Sequence, residues 1–237
     1  MNLPLAQGVT MLEQHESGLI ALHKPDGIMS HPNETGGHPK ALLTCAYDLE
    51  HERYHWHSGE LFLLHRLDSP TSGVILACTD GALARVLKNA FKDNLIQKTY
   101  RALVFDTPET KNATWTDRLE KRGAGSVLAR GSSNAVTQMK LVQTRRLEQG
   151  TVSELELKPK TGKTHQLRVQ CAARRIPIIG DATYGQFAWN RAFARLTGEK
   201  RLFLHALEVE VRLEYKGSLL ELRATSALPP EFNLTKF

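Results

Sequence analysis

Long hydrophobic runs, paired cysteines and internal repeats are what this sequence lacks. No apolar stretch approaches the roughly 18 residues that a helix needs to cross a bilayer, so a helical membrane protein is not expected. Cys45, Cys78 and Cys171 stand far apart, odd in number and outside any C-x-x-C arrangement. That spacing argues against both a disulfide framework and a cysteine zinc site, and leaves buried neutral thiols as the simplest reading. Met1 to Gly8 have no basic flank leading into an apolar stretch, so no secretory signal is expected and the chain is placed in the cytoplasm. With no repeat, low-complexity tract or linker to divide them, the 237 residues are expected to form one domain, 1–237.

What is present is an excess of positive charge. Lys and Arg total 31 against 25 Asp and Glu, a formal net charge of +6. Such an excess suits a polyanionic partner such as RNA, because each neutralised phosphate releases counterions. A soluble enzyme that is merely basic has the same composition, so charge alone does not decide between the two.

The hydrophobic pattern mixes strands and helices. Gly18 to His23 reads as a strand that ends at the turn Lys24-Pro25-Asp26-Gly27, and Lys40 to Tyr54 is read as helical despite an irregular apolar face. Leu61 to Leu64 and Val74 to Ala77 read as two buried strands. Asp80 suits the N-cap of an amphipathic helix with Leu83, Val86, Leu87, Ala90 and Phe91 at helical spacing. Gln97 to Phe105 follows as a strand. Asp106 to Ser133, polar and basic with Lys111, Arg118, Lys121, Arg122 and Arg130, reads as an exposed excursion with short strands. Strands are expected at Ala135 to Val142 and Val152 to Leu157, helices from about Thr164 and over Phe187 to Leu196, and a closing hairpin from Leu202 to Leu213 with Leu219 to Leu222. This order lacks strict alternation and favours α+β over a doubly wound parallel sheet.

Between the two buried strands lies His65-Arg66-Leu67-Asp68-Ser69-Pro70-Thr71-Ser72-Gly73. A loop Asp beside Ser-Pro commonly shapes its own turn. Loops between rigid strands are also where reactive groups sit, and an ionised carboxylate serves as nucleophile or base. Arg66 is able to pair with Asp68 or with a phosphate. The pattern H-R-L-D-x-x-T-S-G closely resembles the signature of the RluA-type pseudouridine synthases. That resemblance implies that Asp68 is catalytic and that Arg66 helps to hold a flipped-out nucleotide.

Three further stretches carry the resemblance. Lys98-Thr99-Tyr100 is similar to the family's K-x-Y strand motif, which implies that the Tyr100 ring stacks on the extruded uracil. Thr161-Gly162-Lys163-Thr164-His165-Gln166-Leu167-Arg168-Val169-Gln170 resembles the family's T-G-R-T-H-Q-I-R-V-H, which implies that Arg168 pairs with the catalytic Asp and keeps it ionised. There Thr164 is expected to cap a helix whose one face carries His165 and Arg168, while Leu167 and Cys171 share another. Two positions depart from the pattern, Lys163 in place of Arg and Gln170 in place of His; Lys keeps the charge and loses the bidentate fork. Lys24-Pro25-Asp26-Gly27 through His31-Pro32, Pro177-Ile178-Ile179-Gly180-Asp181-Ala182-Thr183-Tyr184-Gly185, and Leu204-His205-Ala206 match flanking signatures. The first of these begins almost at the start, so the S4 RNA-binding module of many relatives is not expected.

The resemblance therefore implies a cofactor-independent RNA pseudouridine synthase on a mixed, mostly antiparallel sheet flanked by helices. Its catalytic residues would be Asp68, Tyr100 and Arg168. RNA, a tRNA or rRNA stem-loop, would be met by Arg66, Lys98, Arg101, Lys163, His165 and Gln166, with no metal and no obligate protein partner in an expected monomer. Two rivals stay open: an RNA-binding protein with the fold and no chemistry, and a metal-dependent hydrolase using His51, His55 and His57 near Glu52.

Overall fold

A computed structural model describes residues 2–148 and 150–236. They fall into two units, Met1–Ile96 with Ala206–Ser226, and Gln97–His205 with Ala227–Phe237. The first unit opens with β1 (Thr10–Gln14) and β2 (Leu19–Lys24), continues through β3 (Ala46–Asp48), β4 (Arg53–Trp56) and β5 (Gly59–Leu63), and reaches β6 (Ser72–Cys78) and α1 (Gly81–Lys92). Every residue of β6 is buried. β2 pairs antiparallel along it from Leu19 opposite Cys78 to Lys24 opposite Gly73. From α1, Leu83, Leu87 and Ala90 pack with Val74, Leu76 and Cys78. The Asp80 carboxylate accepts the Leu83 N–H at 2.8 Å, so the expected N-cap is in place.

Lys40–Tyr54 is not the expected helix; it forms turns and the strands β3 and β4. Tyr47 and Tyr54 face each other across the β3–β4 ladder, both fully buried, with ring centroids 4.7 Å apart. The irregular helical face is thus the signature of cross-strand aromatic pairing. His51 lies in the turn between these strands and His55 on β4, so their spacing of four carries no helical meaning. Among the described residues no cluster of three or more His, Cys, Asp or Glu is set to hold a metal ion.

The second unit begins with β7 (Gln97–Phe105) and β8 (Asn112–Asp117). Next come the hairpin β9 (Leu119–Arg122) and β10 (Gly125–Leu128), the long strands β11 (Ala135–Leu147) and β12 (Gly150–Pro159), and the helices α2 (Gln166–Ala173) and α3 (Phe187–Thr197). An antiparallel sheet in the order β7-β12-β11-β8 buries Ala102, Trp115, Met139, Leu155 and Leu157 with Leu167 and Cys171 of α2 and Phe193 of α3. The chain returns to the first unit through the hairpin β13 (Leu204–Tyr215) and β14 (Ser218–Thr225). Its last residues rejoin the second core with Phe232 and Leu234 buried. The result is α+β, as the element order predicts.

Two local features bear on the motifs. Gly73 closes the T-S-G run with φ +118°, and a Cβ there would overlap the backbone carbonyl of Ala206 in β13, so only glycine fits. Burial pushes the Cys78 thiol up to about 11, which keeps it neutral. Among the described residues no helix is long and apolar enough to cross a membrane.

Candidate active site

Asp68 sits midway along the loop from β5 to β6, where the Thr71 N–H donates to the Asp68 carbonyl at 2.9 Å and closes a tight turn. Both flanking residues are gripped from beneath. Buried Ser30 donates its hydroxyl to the Leu67 carbonyl at 2.8 Å and accepts the Leu67 N–H at 3.0 Å. The Ser69 carbonyl accepts the Gly27 N–H and the Lys24 ammonium, each at 2.9 Å. Lys24 is fully buried and also donates to the carbonyls of Pro25, at 3.0 Å, and Ile28, at 2.5 Å. These carbonyl dipoles replace the water that a buried ammonium would otherwise demand. The K-P-x-G segment is therefore the anchor of the Asp68 loop.

Lys24→Met is expected to strip the ammonium from the part-buried carbonyls of Pro25 and Ile28 and to leave the Ser69 carbonyl with the Gly27 N–H alone, at about 1 to 3 kcal/mol for each group left unpaired. A fall in melting temperature together with lower turnover by the surviving folded protein is the expected result. A variant that melts and turns over like the unaltered protein would remove Lys24 from this role.

Arg66 is exposed, with its guanidinium 2.9 Å from His31 Nε2. His31 Nδ1 lies 2.6 Å from the Pro32 carbonyl, which can only accept, so Nδ1 carries the hydrogen and Nε2 receives the Arg66 N–H. The His31 ring stacks on Tyr47 at 5.0 Å. The H-P segment thereby aims Arg66, a role that the motif match alone does not reveal. His65 is structural: its Nε2 accepts the Leu76 N–H at 2.9 Å and its ring stacks on Phe91.

In the second unit, β7 presents Lys98, Tyr100 and Arg101. Tyr100 is half-buried opposite Leu157 and packs against the second core. Burial draws the Lys98 ammonium below its ordinary pKa. Arg101 spans Glu154 and Glu156, at 3.2 Å to each carboxylate. Two acids therefore neutralise Arg101 on the sheet face.

The T-G-K-T-H-Q-L-R-V-Q stretch is built around Gln166 rather than Thr164. α2 starts at Gln166, with His165 at the cap position in the left-handed region at φ 54° and no side-chain cap. His165 thus lies outside the helix instead of sharing its face with Arg168. Gln166 is buried, and its carbonyl oxygen accepts the Lys163 N–H at 3.0 Å and the Thr161 hydroxyl at 2.8 Å. Its amide donates to the Val136 carbonyl at 3.1 Å and Thr137 Oγ1 at 2.9 Å. These bonds make Gln166 the brace that shapes the loop and leaves Lys163 exposed. One helical turn on, buried Gln170 accepts the Thr137 hydroxyl at 2.7 Å and donates to Asp117 at 2.8 Å. A neutral amide thus satisfies a donor and an acceptor at the position that departs from the family pattern.

Arg168 and Asp181 form a buried bidentate pair. The Arg168 Nε and a terminal nitrogen each donate to Asp181 at 2.8 Å, and that terminal nitrogen also reaches Thr183 Oγ1 at 3.2 Å. Asp181 additionally accepts the Thr183 and Tyr184 N–H groups, at 2.9 and 3.0 Å. Burial by itself would raise its carboxyl pKa, but the Arg168 hydrogen bonds, the two amides and the Arg168 charge hold it below the ordinary value. Asp181 lies 13 residues beyond Arg168 and escapes any local pattern; the G-D-x-x-Y-G segment was its one visible mark.

Comparisons with known proteins bear on this arrangement. The model of the RNA pseudouridylate synthase family matches residues 18–173. The chain is 31% identical over 216 residues to the ribosomal large subunit pseudouridine synthase D of Borreliella burgdorferi, covering 89% of this chain and 62% of that protein. It is 37% identical over 175 residues to the tRNA pseudouridine synthase C of Yersinia pestis, covering 69% of this chain and 68% of that protein. The chain thus spans less than two thirds of the length of the first of these relatives. Human RNA pseudouridylate synthase domain containing 1 shares the fold, with a TM-score of 0.67, 21% identity, and 96% of this chain and 86% of that chain covered. With the match running from β2 through the whole of α2, the chain belongs to the RNA pseudouridylate synthase family.

Proposed function

We propose that this protein isomerises a uridine of tRNA or rRNA to pseudouridine, with Asp68 as the reacting carboxylate and Tyr100 and Arg168 acting on the same nucleotide. The names of the relatives supply the two RNA classes. The observation that carries the reading is the Asp68 turn: a carboxylate-bearing loop held on both sides by Ser30, Gly27 and Lys24, beside an Arg66 that His31 aims. So much anchoring suits a group that must meet a reacting atom within a fraction of an ångström.

The reaction is redox-neutral and balanced. The bond from uracil N1 to C1′ breaks, the base turns, and C1′ bonds to C5, while the C5 hydrogen leaves as a proton and N1 gains one. Asp68 serves as nucleophile toward base or sugar, or as the base that takes a sugar proton. The uridine must first leave its stack, at a cost of a few kcal/mol that is least in a loop. A half-buried Tyr100 offers the ring face that such a base needs. Mapping pseudouridine in RNA from cells with and without the gene tests the reading. A site lost on deletion and restored by the purified protein supports it, whereas RNA bound with no pseudouridine formed favours the binding protein without chemistry.

Phosphate contact is assigned to the exposed cations Arg66 and Lys163, with the hairpin cations Lys121 and Arg122. Arg101 is left to its two glutamates and Gln166 to its loop. Lys163→Ala is then expected to weaken RNA binding and reduce the slope of log K against log salt by about one. An unchanged slope would take Lys163 out of the RNA path.

A further inference from the structure

Tyr184, in the segment between α2 and α3, joins two parts of the second unit that the sequence keeps far apart. Its backbone N–H donates to Asp181 Oδ1, the oxygen that also receives Arg168, and its ring lies 5.2 Å from the Arg168 guanidinium. At its other end the phenol oxygen accepts the Ser126 N–H at 3.0 Å, donates to the Ser126 carbonyl at 3.1 Å, and lies 3.0 Å from His165 Nδ1. A hydroxyl has one hydrogen, and with it spent on Ser126 the third partner must be the donor, so His165 Nδ1 carries a hydrogen.

The hairpin side is shaped to receive this oxygen. A Cβ at Gly125 would overlap the Tyr184 hydroxyl and come within 3.2 Å of His165 Nδ1. The backbone of Gly125 is not in the left-handed region, so what glycine supplies here is space. Leu119, at the far end of the hairpin, packs with Val169 of α2 and with Tyr184. Among the described residues β9 and β10 pair only with each other, as a separate two-stranded sheet. Such a hairpin is marginal in water by itself, and its position depends on what grips it.

We propose that Tyr184 is a positioning residue, a latch that fixes the β9–β10 hairpin and its exposed Lys121 and Arg122 relative to Arg168. The hairpin that carries these cations is thereby tied to the Arg168 segment through one side chain. The RNA half of this inference rests on the proposed function; the latch itself rests on geometry within one unit.

Tyr184→Phe removes the hydroxyl and keeps the ring beside Arg168, and Gly125→Ala keeps the hydroxyl and obstructs its seat. Trypsin cleavage after Lys121 or Arg122, read by mass spectrometry on the folded protein, is expected to rise about tenfold in each variant, as loss of a part-buried hydrogen-bond cluster allows. With RNA substrate, KM is expected to rise about tenfold and kcat to change by less than about threefold, since the lost contacts serve binding. The double variant is expected to be no worse than either single one, because both break the same contact. Unchanged cleavage rates in both single variants would overturn the latch, and so would faster cleavage with an unmoved KM. If the unaltered protein modified no RNA at all, the proposed function would fall and the trypsin rates alone would decide the latch.

Discussion

Asp68→Asn is expected to abolish turnover, lowering the single-turnover rate by at least about a thousandfold, as removal of a carboxylate that reacts as nucleophile or base does. The substitution conserves shape, and the turn bond of residue 68 runs through its backbone carbonyl, which asparagine retains. Ser30 and Lys24 likewise hold Leu67 and Ser69 through main-chain atoms. The loop should therefore stand with its reactive group replaced. RNA affinity is expected to stay within about threefold of the unaltered protein, because phosphate contacts elsewhere supply most of it. Pseudouridine formed at a rate near that of the unaltered protein would refute the assignment of Asp68.

How far the sequence carried the structure depended on the range of the interactions involved. α1 was legible because an Asp at its cap and an apolar stripe at helical spacing are local patterns, and β7 and the β13–β14 hairpin because strand composition and turns are local too. Lys40–Tyr54 misled because its two tyrosines face each other across a ladder, a relation that a single-chain period cannot show. The start of α2 falls at Gln166 rather than near Thr164, with His165 in the left-handed region at the cap position and the Gln166 side chain folded back on Thr161 and Lys163, a conformation that helical spacing does not show. The motif residues Asp68, Tyr100 and Arg168 were visible as a pattern. Their supports were not, since Lys24 acts across 45 residues, Ser30 across 37 and Asp181 across 13. Positions quoted without a role, Lys24, His31, Asp181 and Tyr184, prove to be the ones that hold the others. A fully buried lysine or aspartate must find compensating partners, which is a reason to look for a role wherever a charged residue sits inside a motif.

Arg168→Ala should be the most damaging change in the second unit, both to activity and to stability. Removing one member of a buried ion pair leaves the other uncompensated, at about 3 to 5 kcal/mol. Here the abandoned group is Asp181, 2% exposed. The pH dependence of the loss identifies its origin. In the unaltered protein the Asp181 carboxyl is held below its ordinary value of 3.8, so its contribution is fully present above that pH and declines as pH falls through the lower folded value. Without Arg168, burial dominates and raises the same carboxyl, so the folded variant takes up a proton before the unfolded chain does and regains stability on acidification. The stability difference between the two proteins should therefore be largest near neutrality and narrow toward pH 4, where the buried charge is discharged. Asp181→Asn combined with Arg168→Ala should show no such narrowing, because the titrating group is gone. Denaturant titrations at several pH values measure this directly, and a gap that stays constant from neutral pH to pH 4 in the single variant would show that Asp181 is not what Arg168 stabilises. Activity should fall by about a hundredfold or more in the same variant at any pH where it is folded, as expected for loss of a preorganised charge at a reacting site. Retention of turnover would leave Arg168 as a structural anchor of the Asp181 segment and remove it from the chemistry.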